Sequence, residues 1–150
     1  MRKFSRITLA IMVLLIFSFT LGLTLTRPAT AQSKEPVKIG AILPLTGGAA
    51  IAGKTLLGGM EMAVDEINQL GGLLGGRPIK LIVEDCESRP EAGMDAVHKL
   101  VDVEKVPIIL GSYSSSVTIP TSTYSNSKKV VHIGLTASSP TLRTIGPYYF

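Results

Sequence analysis

The chain has 150 residues, with 15 Lys and Arg against 11 Asp and Glu, 45% apolar residues and one cysteine. Four of the basic residues and none of the acidic ones precede residue 32, so the remainder carries 11 of each and no net charge. No basic face for nucleic acid is implied, and a single cysteine excludes an internal disulfide framework.

In chain order, the first predicted element is an export signal over residues 1–31. Arg2, Lys3 and Arg6 give a basic start, an apolar run extends from Ile7 to about Thr26, and Ala29-Thr30-Ala31 offers small residues for cleavage after Ala31. The run is long for a signal core, which leaves an uncleaved membrane anchor as the alternative. Gln32 stands where a lipoprotein signal would need cysteine. Either way the rest of the chain is expected outside the cytoplasm, stabilised by packing, with Cys86 as an inert buried thiol.

Residues 32–36 form a short polar leader. Val37–Leu43 reads as a strand buried on both faces, and Pro44 to Gly53 as a Gly/Ala-rich loop. From Lys54 to Leu70 the spacing becomes helical, with Leu56, Met60, Ala63, Ile67 and Leu70 on one face. Gly71-Gly72 ends that helix, and Pro78–Val83 is a second strand. Pro90 opens a helix to about Glu104 with Ala96, Val97, Leu100 and Val101 inward. Pro107–Leu110 is a third strand. The loop Gly111–Ser116 feeds a weaker helix over Ile119–Ser127, with Pro120 in its first turn, and Val130–Ile133 is a fourth strand. Strands and helices alternating at this spacing predict an α/β fold, a parallel sheet flanked by helices.

Ligands of such sheets bind beyond the carboxyl ends of the strands. Two of the four loops there, Gly111–Ser116 and Leu135–Pro140, are rich in Ser and Thr and lead into helices. Hydroxyls at helix starts either cap the helix or, where two such loops converge, join the free N–H groups in a site for a small carboxylate. Both readings stand at this point. Glu84, Asp85 and Glu87 read as a solvated turn with some capacity to attract an ammonium group. His98 and His132 read as structural, with no Cys, Asp or Glu expected at metal-ligand spacing from either.

Gly48–Thr55, GAAIAGKT, satisfies the phosphate-loop pattern G-x-x-x-x-G-K-[ST]. Nucleotide binding is a remote alternative on two grounds. The chain is exported to where nucleoside triphosphate is scarce, and Pro44–Gly47 separates the strand from the first glycine of the motif.

The ordered set IGAILPLTG (39–47), GGMEMAVDEINQLGG (58–72), GRPIKLIVEDCESRPEAG (76–93), PIILGSYSSSVT (107–118) and TASSP (136–140) resembles type I periplasmic binding proteins, in particular the branched-chain amino-acid-binding branch. The resemblance covers residues 37–150 and implies an incomplete first lobe of a two-lobed fold, with the rest of that lobe and the whole second lobe expected beyond Phe150. It implies the substrate-binding component of an ABC importer, without catalysis, cofactor or metal, in the periplasm. That component would capture an amino acid or related small carboxylate and pass it to a membrane permease. Contact with the membrane would come only through that permease or an uncleaved anchor.

By the same resemblance, Ser115 takes the carboxylate-binding position, flanked by Ser114 and Ser116, while Thr136 and Ser138 hold the α-groups. Two departures stand out. Ala52 occupies a position where many relatives place an aromatic residue, and Ser88 and Ser114 stand where some relatives have a disulfide. A sensor domain of a membrane receptor with the same fold is the alternative function. An exported serine hydrolase would need a His and an acid supplied from elsewhere.

Overall fold

Val37–Leu43 (β1) is the centre of the sheet, and its second half, Gly40 to Leu43, is buried. It pairs in parallel with Ile79–Asp85 (β2) on one side and Ile108–Gly111 (β3) on the other, and β3 pairs with Val131–Ile133 (β4). The order is β2-β1-β3-β4. The structure is a computed structural model, and it describes residues 34–150. The export signal and the first residues of the leader lie outside the described residues.

The path turns left from β1 to β2, then right through β3 and β4. Right-handed crossovers therefore place the first helix, Ala50–Gln69 (α1), on one face. Pro90–His98 (α2) and Ser115–Ser127 (α3) share the other face. The core lies on that second face, where Ile42 and Ile109 of the sheet meet Ala96, Val97, Leu100, Val101 and Val117. The inward residues predicted for α2 are all there. α2 does not stay α-helical to Glu104, however: Lys99–Val103 winds as a π-helix.

Three boundaries differ from the expected ones by two residues or more, while β3 and β4 shift by one, which brings Gly111 into β3. β2 runs on to Asp85, so Glu84 and Asp85 are strand residues. α1 begins at Ala50, four residues before Lys54. Its buried contact is Gly53, so the sheet-facing side follows Gly53, Leu56, Met60, Val64 and Ile67, and Ala63 and Leu70 turn outward. Leu70 is 81% exposed. α3 begins at Ser115 rather than Ile119, which makes Pro120 its sixth residue.

α3 has little apolar periodicity, yet Thr118, Thr121, Ser122 and Ser125 are fully buried. The hydroxyls of Thr118, Thr121 and Ser122 bond back along the chain, Thr121 Oγ1 donating to Val117 O at 2.9 Å and Ser122 Oγ to Thr118 O at 2.6 Å, while Ser125 Oγ lies 3.1 Å from His132 Nδ1. Satisfying each hydroxyl locally removes the cost of burying it. Beyond β4, Pro140–Thr144 forms a 3-10 turn. Tyr148–Phe150 then runs parallel to β4, with His132 N donating to Tyr148 O at 2.7 Å and Phe150 N to His132 O at 2.9 Å.

Candidate functional site

The order in which strands are added to the sheet reverses between β1 and β3, and this switch point opens a crevice at their carboxyl ends. Three loops meet there around a cavity of about 240 Å³ walled by Pro44, Ala49, Cys86, Ser88, Tyr113 and Ser114, among others. The fourth loop, after β4, closes against the third. Thr136 Oγ1 donates to Tyr113 O at 2.8 Å, and Ser115 Oγ accepts from both Ser138 N and Ser139 N at 3.2 Å. Ser114 and Ser116 hydroxyls lie 3.2 Å apart. All five residues singled out from the sequence thus gather at one edge.

The bonding leaves specific capacity unused. Ser115 Oγ acts only as an acceptor in these contacts, so its hydroxyl proton is available to donate. The backbone N–H groups of Ser115 and Ser116 open α3 and have no partner among the described residues. Thr136 Oγ1 spends its proton on Tyr113 and keeps lone pairs. Donors therefore cluster at the α3 start, where the helix dipole favours an anion, and an acceptor suited to an ammonium group lies beside them. The Ser138 N–H is taken by Ser115, which leaves Ser138 its hydroxyl for an external group.

The acidic cluster is not free to receive an ammonium. The Asp85 carboxylate accepts from Leu45 N at 2.8 Å, Thr46 N at 3.3 Å, Glu87 N at 2.8 Å and Thr46 Oγ1 at 2.6 Å, which ties the first loop to the second. Glu84 pairs with Lys99 at 2.8 Å and Glu87 with Arg89. Ser88 adds to the tie, accepting from Ala49 N at 3.1 Å and donating to Thr46 O at 3.2 Å.

Burial pushes the Asp85 carboxyl up, but the bonds from Thr46, Glu87 and Leu45 outweigh it and hold its pKa below the usual 3.8. Its contribution to stability is therefore complete above about pH 3.8 and lost as pH falls through the lowered folded value. Asp85→Ala is expected to lower unfolding free energy by about 2–3 kcal/mol, the loss of hydrogen bonds to a charged acceptor. Urea unfolding at neutral pH measures this, and a change under about 0.5 kcal/mol would rule out the clamp.

The phosphate-loop match fails on geometry. α1 starts at Ala50, so Gly53, Lys54 and Thr55 lie inside the helix rather than in a loop curled around a phosphate. A Cβ on Gly53 would overlap the Pro44 carbonyl oxygen, so this glycine permits close contact between α1 and the loop that follows β1.

Cys86 is 1% exposed, and burial raises its pKa, as an inert thiol requires. His132 is fully buried and bonded to Ser125 and Gly111. His98 does have an acidic neighbour at i+4: Nδ1 lies 3.2 Å from Asp102 Oδ2, which also accepts from Tyr124 Oη at 2.5 Å. Among the described residues no three His, Cys, Asp or Glu side chains are placed to hold a metal ion.

Tyr113 was hidden by its serine-rich context. It is 39% exposed, lines the cavity, and shares with Ala52 the lining of a second cleft beside the first turn of α1.

The sequence model described as "Periplasmic binding protein" matches residues 36–150. Leu/Ile/Val-binding protein BraC3 of Rhizobium johnstonii is 34% identical over 110 residues, which covers 73% of this chain and 29% of that protein. The branched-chain amino acid transporter substrate binding protein LivJ from Streptococcus pneumoniae, solved in complex with isoleucine, superposes with a TM-score of 0.73 at 28% identity. That match covers 77% of this chain and 33% of LivJ. An ABC transporter substrate-binding protein from Desulfitobacterium hafniense complexed with Leu gives 0.69 at 27% identity, over 77% and 33% of the two chains. The chain spans less than a third of the length of the curated relative.

Proposed function

The chain belongs to the periplasmic binding protein family, and on that premise we propose that it is the first ligand-binding lobe of an ABC importer's substrate-binding component. Residues 1–31 direct export, and residues 37–150 carry half of a clamp that closes on an amino acid of branched-chain type or a related small carboxylate. A second lobe completes the clamp, and a membrane permease receives the ligand. The role is capture and delivery, without catalysis.

One observation carries the reading: the Ser115 hydroxyl and the Ser115 and Ser116 N–H groups converge at the start of α3, with Thr136 and Ser138 bonded alongside. The donors suit an α-carboxylate and the Thr136 lone pairs suit an α-ammonium. Tyr113 and Ala52, which line one cleft, supply an apolar wall for the ligand side chain. The relatives solved with isoleucine and leucine support the same ligand class.

Calorimetry with leucine, isoleucine and valine, on the chain continued through its second lobe, tests the proposal. Binding of at least one is expected, and Ser115→Ala is expected to weaken it about 10- to 100-fold, equivalent to about 1.5–3 kcal/mol for a hydrogen bond to a charged group. No heat with any amino acid would overturn the ligand class. Unchanged affinity in Ser115→Ala would overturn the site.

A further inference from the structure

The cavity at the candidate site has walls unlike those of an aliphatic pocket. Among the described residues that line it there is no Leu, Ile, Val, Phe or Met side chain, and none carries a charge. Four of them bear hydroxyls, Ser88, Tyr113, Ser114 and Ser116, and the buried Cys86 adds a thiol. A site for an aliphatic group is ordinarily lined by apolar side chains.

The hydrogen-bonding capacity of these walls is only partly spent. Ser88 Oγ accepts from Ala49 N at 3.1 Å and donates to Thr46 O at 3.2 Å, so its proton is taken. The Ser114 and Ser116 hydroxyls lie 3.2 Å apart, one donating to the other, which leaves the second proton and further lone pairs unspent. Tyr113 is tied through its carbonyl, by Thr136, and its phenol makes no hydrogen bond among the described residues. Donors and acceptors therefore occur together. A charged side chain would find no free opposite charge, since Glu84 is paired with Lys99, Glu87 with Arg89, and Asp85 is bonded to the first loop. A hydroxyl or a primary amide, which both donates and accepts, matches the walls.

Given a ligand carboxylate at Ser115, the role on which this rests, we propose that the ligand's side chain is polar and uncharged, a hydroxyl or a primary amide held among the Tyr113, Ser114 and Ser116 hydroxyls. Ser114 and Ser116 flank Ser115, so the cavity adjoins the carboxylate position. An aliphatic side chain of the same shape would enter, but lobe closure would then leave these hydroxyls without partners. An unpaired buried polar group is costly, and a site built to bond a hydroxyl discriminates against its absence. Tyr113 lines both this cavity and the cleft it shares with Ala52, as a side chain with an apolar ring and a polar tip can.

Ligands matched in shape test this by calorimetry on the chain continued through its second lobe. Threonine and valine share one shape, asparagine and leucine another, and aspartate adds a charge to the shape of asparagine. In at least one pair the polar member is expected to bind about tenfold tighter, and aspartate more weakly than asparagine. Tyr113→Phe and Ser116→Ala each remove one hydroxyl and should shrink that preference several-fold. The parent's own ratios decide even where a variant fails to fold. Valine and leucine each bound at least as tightly as the polar counterpart would overturn the side-chain inference and leave the amino-acid site standing. Aspartate bound more tightly than asparagine, or a preference unmoved in both variants, would overturn it too. Binding of none of these amino acids would overturn the amino-acid site itself, and the inference with it.

Discussion

Gly111→Ala is expected to lower the unfolding free energy by about 3–6 kcal/mol, close to the whole stability of a small domain. Gly111 ends β3 with φ of +126°, a conformation open essentially to glycine alone. A Cβ there would overlap the carbonyl oxygen of Ile42, its register partner on β1. Two costs therefore combine, backbone strain and an overlap that the neighbour must relieve. Ile42 has no room to yield, because it is fully buried and β1 is held by β2 on its other side. Gly48→Ala is the control: a Cβ there meets nothing within 4 Å, and little change is expected. Urea unfolding followed by circular dichroism compares the two. Similar midpoints would show that the β1–β3 junction tolerates a side chain and is not the rigid root of the site.

The alternating strands and the inward face of α2 could be read directly, since a doubly buried strand and a 3.6-residue apolar period are local properties of the chain. The α1 start could not. Its N-cap is Ala49, which offers no side-chain hydrogen bond, so the helix begins without a chemical marker.

α3 misled for a different reason. Proline favours the first turn of a helix, which drew the expected start towards Pro120, yet the helix already begins at Ser115. The serines read as loop are its N-cap and first residues, and its buried hydroxyls mask the helical period. Asp85 was legible as an acid at a strand end but not as a clamp, because its partners Leu45 and Thr46 are brought to it by the parallel pairing of β1 and β2. The convergence of the Ser115 and Thr136 loops followed from topology alone. The bonds that join them, Ser115 to Ser138 and Thr136 to Tyr113, required coordinates.

Acidification from about pH 6.5 towards 4 should weaken the lobe through the buried His132. Its Nε2 lies 2.7 Å from the Gly111 carbonyl, which can only accept, so Nε2 carries the proton, and Nδ1 accepts from Ser125 Oγ at 3.1 Å. Burial disfavours the imidazolium and the Gly111 carbonyl favours it. Burial prevails, and the pKa falls from 6.5 to about 4. Between these values the unfolded chain binds a proton that the folded chain refuses, so stability is complete above about pH 6.5 and declines as pH drops towards 4. At about 1.4 kcal/mol per pH unit the loss accumulates to about 3 kcal/mol.

His132→Gln keeps an amide donor for the Gly111 carbonyl and cannot titrate, so it should flatten this dependence. Asp85 acts only at lower pH, which separates the two effects, and His98→Gln controls for the exposed histidine. Urea midpoints across this range decide the matter: an equal acid slope in the parent and in His132→Gln would exclude the buried ring as its source. Because the same ring holds the carbonyl at which the Ser112–Ser116 loop begins, a slope that disappears with His132→Gln would also identify the root of the candidate site as the part of the lobe that acid loosens first.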